Sequence, residues 1–505
     1  MLFNSFPFLF VFLPMALGGT LLLLRGGKVA AGVWFVGFCS LVFYAYWNPL
    51  HLLVLIPSIT INYLLGRAII AAADEERRKA LMILGIVLNL GALCYFKYTG
   101  FILNTFTSSD LNQFTSAIVN TALPIGISFY TFLQIAFLID CRAAPQHSDY
   151  RFRDYLFFVS FFPHLIAGPI LHHASIIPQI GLMSRRLSSP AYVTVFFTPG
   201  LALFALGIIK KVLIADVFGG YADQSFNSVH AGGLFTFLDA WGGASAYTFQ
   251  IYFDFSAYSD MAIGLGLMFG IYLPQNFLSP YKATSVIDFW RRWHVTLSRF
   301  LRDYLYIPLG GNRKGPVRTY MNIMVTMLLG GLWHGASWSF VFWGGLHGGL
   351  LVANHLIREV MDYRPNRIMA TAVTFVIIVF TWVPFRATHV GDVRIFYEYM
   401  IGLHGIVVPW QYAGIVERIG GLADILGLRA GDVNYFSGMR QLLFTAIGAA
   451  IVFFAPNGVE FVSKLNRARH ARTSTMVPIG LGVGLLIAMI VMFVTTNETF
   501  LYFQF

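Results

Sequence analysis

The stretch GGLWHGASWSFVFWGGLHG, residues Gly330–Gly348, contains no Lys, Arg, Asp or Glu, yet it keeps two imidazoles, His334 and His347. A run this apolar reads as membrane-embedded, and an ionisable side chain at membrane depth is costly enough to mark a functional residue by default. The plain alternative for His334 is a neutral imidazole bonded to a neighbouring carbonyl. Gly331/Gly335, Gly344/Gly348 and Gly345/Gly349 form small-xxx-small pairs, which let helix backbones approach closely or leave room beside a side chain. His347 follows His334 by 13 residues. On a continuous helix it points about 140° away, and it reads as structural.

The rest of the chain shares this character. Of 505 residues, 57% are hydrophobic and 11% are charged, less than half of the ~25% usual in soluble domains. The mean hydropathy is +0.68. These values define an all-α polytopic membrane protein. Apolar runs lie near 6–24, 29–46, 50–66, 80–97, 118–140, 155–171, 191–214, 234–253, 257–273, 320–356, 368–385, 440–456 and 476–496. At ~20 residues per span they imply roughly 10–13 membrane helices, several of them tilted, broken or half-inserted. No internal repeat or long hydrophilic domain interrupts them. The expected organisation is one membrane domain over 1–505, with N-terminal helices at 1–117, a motif-bearing core at 118–358 and C-terminal helices at 359–505.

The net charge of +11 is spread in short clusters between apolar runs. That is the pattern of positive-inside topology, not of a nucleic-acid partner. Arg25/Lys28, the Arg67–Lys79 segment, Arg151/Arg153, Arg358–Arg367 and KLNRARHAR (Lys464–Arg472) read as cytoplasmic. A loop at about 386–439 is then left on the outer face. No positive residue precedes the first apolar run, which reads as a retained helix with its N-terminus outside, periplasmic in a bacterium. Cys39, Cys94 and Cys141 form no C-x-x-C pair and imply no disulfide framework.

Three further stretches hold polar residues. In DFWRRWHVTLSRFLRDYLYIPLGGNRKG (Asp288–Gly315), Phe289, Trp293, Leu297, Leu301 and Tyr304 follow helical spacing, while Arg291, Arg292, Arg299 and Arg302 take the other sectors. This predicts an amphipathic helix at the membrane interface. His294 lies beside its apolar stripe and, alone, reads as structural more readily than as functional. In YFDFSAYSDMAIGLGLMFG (Tyr252–Gly270), Asp254, Ser256 and Asp260 read as support, orienting helices or pairing with Arg291 and Arg292. In FFPHLIAGPILHH (Phe161–His173), His164, His172 and His173 have no Cys or carboxylate at ligand spacing, so no metal is assigned. The proline and glycine residues there predict a broken or re-entrant segment. Walker, G-x-S-x-G and H-E-x-x-H motifs are absent, which removes the main support for NTPase, serine-hydrolase and zincin chemistry.

Taken together, LPIGISFYTF (Leu123–Phe132), FFPHLIAGPIL (Phe161–Leu171), KKVLIAD (Lys210–Asp216), YFDFSAYSDMAIGLG (Tyr252–Gly266), DFWRRWHVTLSRFLRDYLYIPLGGNR (Asp288–Arg313) and GGLWHG (Gly330–Gly335) resemble the membrane-bound O-acyltransferases. The similarity is to the bacterial branch of alginate O-acetyltransferases and teichoic-acid D-alanyl transferases. It implies a ring of helices around a thin core, with funnels or a tunnel meeting at a buried histidine. It implies His334 and His294 as catalytic residues; by their charge, Arg291, Arg292, Arg313 and Lys314 suit the phosphates of a CoA-like donor and those of lipid equally well. Trp290, Trp293, Trp333, Asp254, Ser256, Asp260 and Asp288 are the expected substrate-facing or supporting side chains.

The implied activity is transfer of an acetyl group from a cytoplasmic thioester, acetyl-CoA, for O-acetylation of an alginate-like or cellulose exopolysaccharide. The expected setting is the bacterial inner membrane, with periplasmic partner proteins. No permanently bound cofactor is implied. Two other classes share the buried polar groups: a proton-coupled transporter, and a structural scaffold of an envelope polysaccharide-modification complex. Covalent acyl transfer separates the first reading from both.

Overall fold

The computed structural model describes residues 1–106, 123–144, 150–360, 366–467, 476–495 and 500. The run at 118–140 and the basic clusters Arg358–Arg367 and Lys464–Arg472 lie partly outside the described residues. Helices dominate. Five of the described ones are individually long and apolar enough to cross a membrane: Phe8–Arg25, Pro49–Ala71, Glu75–Phe106, Trp338–Glu359 and Arg367–Arg386.

The other apolar runs are shorter, merged or broken, because hydropathy is continuous where backbone geometry is not. The 155–171 run is helical only through Phe152–Ser160. It then becomes the irregular buried segment expected of PHLIAGP, which folds back so tightly that a Cβ on Gly168 would strike the His164 backbone. The 234–253 and 257–273 runs merge in one helix, Phe237–Met268. The 320–356 run divides into Pro316–His334 and Trp338–Val360.

The described residues form two compact units. The first comprises Met1–Ile208, Ala257–Asn276 and Gly458–Gln504. Phe3, Phe8, Phe12, Phe43 and Phe162 build its core through ring contacts at centroid separations of 5.1–6.5 Å. Where burial of polar groups is unavoidable, they bond to one another. Asn89 Nδ2 donates to Asn62 Oδ1 at 2.6 Å and Ser58 Oγ to Gln134 Oε1 at 2.9 Å, tying three helices together. This unit also holds the FFPHLIAGPILHH segment.

The second unit comprises Ile209–Ser256 and Phe277–Asn457. It contains the GGLWHG hairpin and the arginine-rich segment. That segment is not the continuous amphipathic helix the spacing predicts. It divides into Val286–Arg292, Val295–Leu301 and a wider turn at Arg302–Tyr306. Trp293 is extended (ψ 128°) and His294 is left-handed (φ 43°, ψ 53°), so the helical register is lost between them. The expected outer loop at 386–439 is also more ordered than a loop. It carries the Val390–Met400 helix and two parallel strands, Ile406–Pro409 and Leu428–Gly431, with Ile406 opposite Leu428.

Candidate active site

Both candidate histidines lie in the second unit, each at a break in a helix. Ser285 caps Val286–Arg292 by accepting from the Asp288 N–H at 3.1 Å. Two turns later the helix ends, and His294 takes a left-handed backbone that costs on the order of 1–3 kcal/mol and persists only where packing imposes it. The packing here is aromatic: the His294 ring lies edge-on to Phe255 at 4.8 Å, and the residue is 1% exposed. Burial pushes its pKa down to about 3, so the imidazole is neutral at physiological pH.

His334 is the last residue of its helix. Gly335 leaves helical geometry (φ −155°, ψ 146°), and the chain re-enters a helix at Trp338. Glycine is required here because a Cβ on Gly335 would strike the Phe340 ring, and one on Gly331 would strike the Phe340 carbonyl. Gly344 faces Met327 in the same way, whereas a Cβ on Gly349 meets nothing within 4 Å. The small-xxx-small residues are therefore unequal: Gly331 and Gly344 close the hairpin, and Gly349 does not. His334 is buried, with Trp333 at 4.9 Å, Trp343 at 5.3 Å and Phe385 at 5.1 Å between ring centroids.

His347 does not point away from this centre. The reading that set it about 140° from His334 assumed an unbroken helix. The break at 335–337 lets both imidazoles pack on Trp343, His347 at 4.8 Å. The Trp290 indole N–H donates to His347 Nδ1 at 3.2 Å. His347 Nε2 and Trp343 Nε1 are buried and have no hydrogen-bond partner among the described residues. Leaving such a group unsatisfied costs roughly 1–3 kcal/mol. From Trp343 the aromatic wall continues through Trp382 (6.0 Å) to Trp293 (4.8 Å from Trp382) and Phe277 (5.0 Å from Trp293), which contacts His294.

Trp290 also lines a cavity of about 590 Å³, walled on its apolar side by Leu278, Val295, Leu301 and Met327. Arg291 and Arg299 supply its positive charge, together with Arg302, which is paired with Asp303 at 2.7 Å. Of the expected donor contacts, only Arg291 belongs to this lining. Arg292 is committed to Asp288, its i−4 neighbour, at 2.9 Å, and Arg313 and Lys314 are exposed beyond it. Arg299 and Arg302 were legible as polar positions of the segment but not as cavity residues, because the break at His294 rotates them relative to Arg291.

The acidic residues take other partners. Asp254 pairs with Lys211 at 2.7 Å, and Lys211 also reaches Asp216 at 2.7 Å. This joins the KKVLIAD and YFDFSAYSD motifs in one ion triad around buried Lys211 and Asp254; of the two roles expected for Asp254, helix orientation or pairing with Arg291 and Arg292, the triad fits the first. Ser256 is buried with its hydroxyl 3.5 Å from the Phe253 carbonyl. Asp260 belongs to the first unit, where its carboxylate fills the space a side chain on Gly458 would need.

Together, the helical architecture, the broken hairpin and the apolar helices define an integral membrane protein with a buried cluster of histidines. Residues 79–388 match the model of the MBOAT, membrane-bound O-acyltransferase, family. The chain is 35% identical to the peptidoglycan O-acetyltransferase of Helicobacter pylori, over all of this chain and 98% of that protein. It is 39% identical to the probable alginate O-acetylase AlgI of Pseudomonas aeruginosa, covering 87% and 82% of the two chains. Similarity to the teichoic acid D-alanyltransferase of Streptococcus thermophilus is lower, 28% over 48% of this chain and 60% of that one. The protein belongs to the membrane-bound O-acyltransferase family, and it is a multi-pass membrane O-acyltransferase.

Proposed function

We propose that this chain transfers an acetyl group from acetyl-CoA on the cytoplasmic side of the bacterial inner membrane to a hydroxyl of an envelope polysaccharide, with its N-terminus periplasmic. The observation that carries this reading is an arginine-lined cavity whose wall residue Trp290 donates to His347, which packs on Trp343 beside buried His334. Arg291, Arg299 and Arg302 suit the phosphates of a CoA-type donor. The apolar wall suits its acyl and pantetheine parts.

A thioester carbonyl is already activated, so the chemical demand is removal of the acceptor proton. His334 takes that proton as the hydroxyl oxygen attacks the carbonyl carbon. The C–S bond then breaks and the thiolate recovers a proton, leaving an ester and a free thiol. General base catalysis of this kind supplies ~10²–10⁴-fold. His347 Nε2 and Trp343 Nε1, beside His334, suit the acceptor hydroxyl and the developing oxyanion. The lysine–aspartate triad holds the surrounding helices.

The acceptor is either the polymer itself or a periplasmic acetyltransferase that passes the group on. Peptidoglycan and alginate are the acceptors named for the relatives, and both offer sugar hydroxyls; cellulose offers the same chemistry. The test is His334→Ala at matched membrane abundance, assayed by transfer of radiolabelled acetyl from acetyl-CoA to envelope polymer. Loss of transfer is expected. Wild-type transfer by the variant would overturn the assignment.

A further inference from the structure

The histidines of FFPHLIAGPILHH meet a carboxylate that their local sequence does not contain. Asp140, on the last turn of the Ile127–Ala143 helix, lies 33 residues before His173. Its Oδ2 is 2.7 Å from His172 Nε2 and 2.9 Å from His173 Nε2. Three potential ligand atoms thus lie within 4.8 Å of one another, all in the first unit. His164, the third histidine of the segment, is separate: its Nε2 lies 2.9 Å from the Phe158 carbonyl.

We propose that Asp140, His172 and His173 form a binding site for a divalent first-row cation, Zn²⁺ foremost. Two imidazole nitrogens and one carboxylate oxygen are a donor set that such ions favour. The shell around them is built as metal-ligating histidines require. The His173 side chain is 3% exposed, held edge-on between Phe137 and Tyr150 at 5.5 Å each. Its second nitrogen, Nδ1, is 3.1 Å from the Tyr150 hydroxyl. A ligating imidazole donates its other N–H to such a partner, which fixes the tautomer.

Without an ion, His173 donates Nε2–H to Asp140 and accepts from Tyr150. With Zn²⁺ on Nε2, the proton moves to Nδ1 and is donated to Tyr150 Oη, a shift of tautomer. His172 is half-exposed, its side chain 45% accessible. It leaves the remaining coordination positions open to water, so the ion can enter. Zn–N and Zn–O bonds of ~2.0–2.2 Å place tetrahedral donors about 3.3 Å apart, so each imidazole nitrogen draws back from Asp140 Oδ2 by roughly half an ångström on binding. The half-exposed His172 can supply that movement. The site ties the end of one helix to the His173–Ile180 helix, which identifies it as a structural staple.

The experiment uses the full chain in detergent, stripped with chelator and titrated with Co²⁺ and then Zn²⁺ alone. One equivalent of Co²⁺ per chain is expected, seen by its visible absorption and displaced by Zn²⁺, together with a rise in unfolding temperature on adding Zn²⁺. His172→Ala, whose side chain is half-exposed, should fold normally, weaken binding at least about tenfold and abolish the Zn²⁺-dependent rise. Tyr150→Phe keeps the ring and should weaken binding by about tenfold. A wild-type protein that gives no Co²⁺ spectrum, or binding unchanged in His172→Ala and Asp140→Asn, would show a hydrogen-bonded triad only and overturn the site.

Discussion

Replacing Gly331 by alanine adds one carbon to the tightest crossing in the GGLWHG hairpin. The new Cβ would lie 3.1 Å from both Cα and N of Gly344, and well inside contact with the Phe340 carbonyl oxygen. Backbone atoms cannot rotate away as a side-chain tip can. The Trp338–Val360 helix must therefore move back by roughly 1 Å to restore an ordinary contact. Overpacking of this kind costs about 1–3 kcal/mol, which a protein of this size survives. The catalytic consequence is larger, because His334 and Trp343 sit on the two arms being separated. A 1 Å misplacement of reacting groups costs on the order of 10²-fold in rate.

Gly349→Ala is the internal control, since its Cβ meets nothing within 4 Å. Both variants would be brought to equal abundance in membranes and assayed for radiolabelled acetyl transfer from acetyl-CoA. Gly331→Ala should fall by about two orders of magnitude while Gly349→Ala stays near wild type. If Gly331→Ala retained more than about half the wild-type rate, the hairpin would not be the rigid support for His334 described above.

Two other outcomes follow from the same geometry. Arg299→Ala combined with Arg302→Ala should raise the KM for acetyl-CoA by about tenfold or more, as expected for lost charge-assisted contacts, and leave kcat nearly unchanged; steady-state kinetics in membranes separates the two. Neutral His294 should make stability depend on pH. Its folded pKa, about 3, lies below the unfolded value of ~6.5, so only the unfolded chain binds a proton as pH falls through 6.5. At pH 5 this removes about 2 kcal/mol. His294→Asn should flatten that part of the profile in detergent unfolding, and an unchanged acid slope would show that His294 is not held neutral.

The reading of the sequence reached the fold class because it rests on a local quantity, and it singled out His334 through the motif set that surrounds it. Hydropathy of a run decides burial, whereas the cost of an imidazole in an apolar run applies to His334 and His347 alike, and only the motif order across the chain separates them. The breaks were less legible. The stripe from Phe289 to Tyr304 keeps helical spacing across Trp293 and His294, although the backbone there is extended and then left-handed. Periodicity records which side chains are apolar, whereas the φ of one residue is imposed by packing around it. A second break, at 335–337, places His334 beside the Trp343 on which His347 packs, and the break at His294 sets Arg299 and Arg302 on a helical segment separate from Arg291.

By itself, then, the sequence determined an all-helical membrane enzyme and its family, since apolar content and motif order are properties of the chain read in line. Tertiary structure alone decided which residues act together. Lys211 with Asp254, Arg291 with Arg299 and Arg302, and Asp140 with His172 and His173 are each set by how distant or interrupted segments pack. The 33-residue separation between Asp140 and His173 has no period that a linear reading can detect. Only the contact between their segments brings a carboxylate to the two imidazoles.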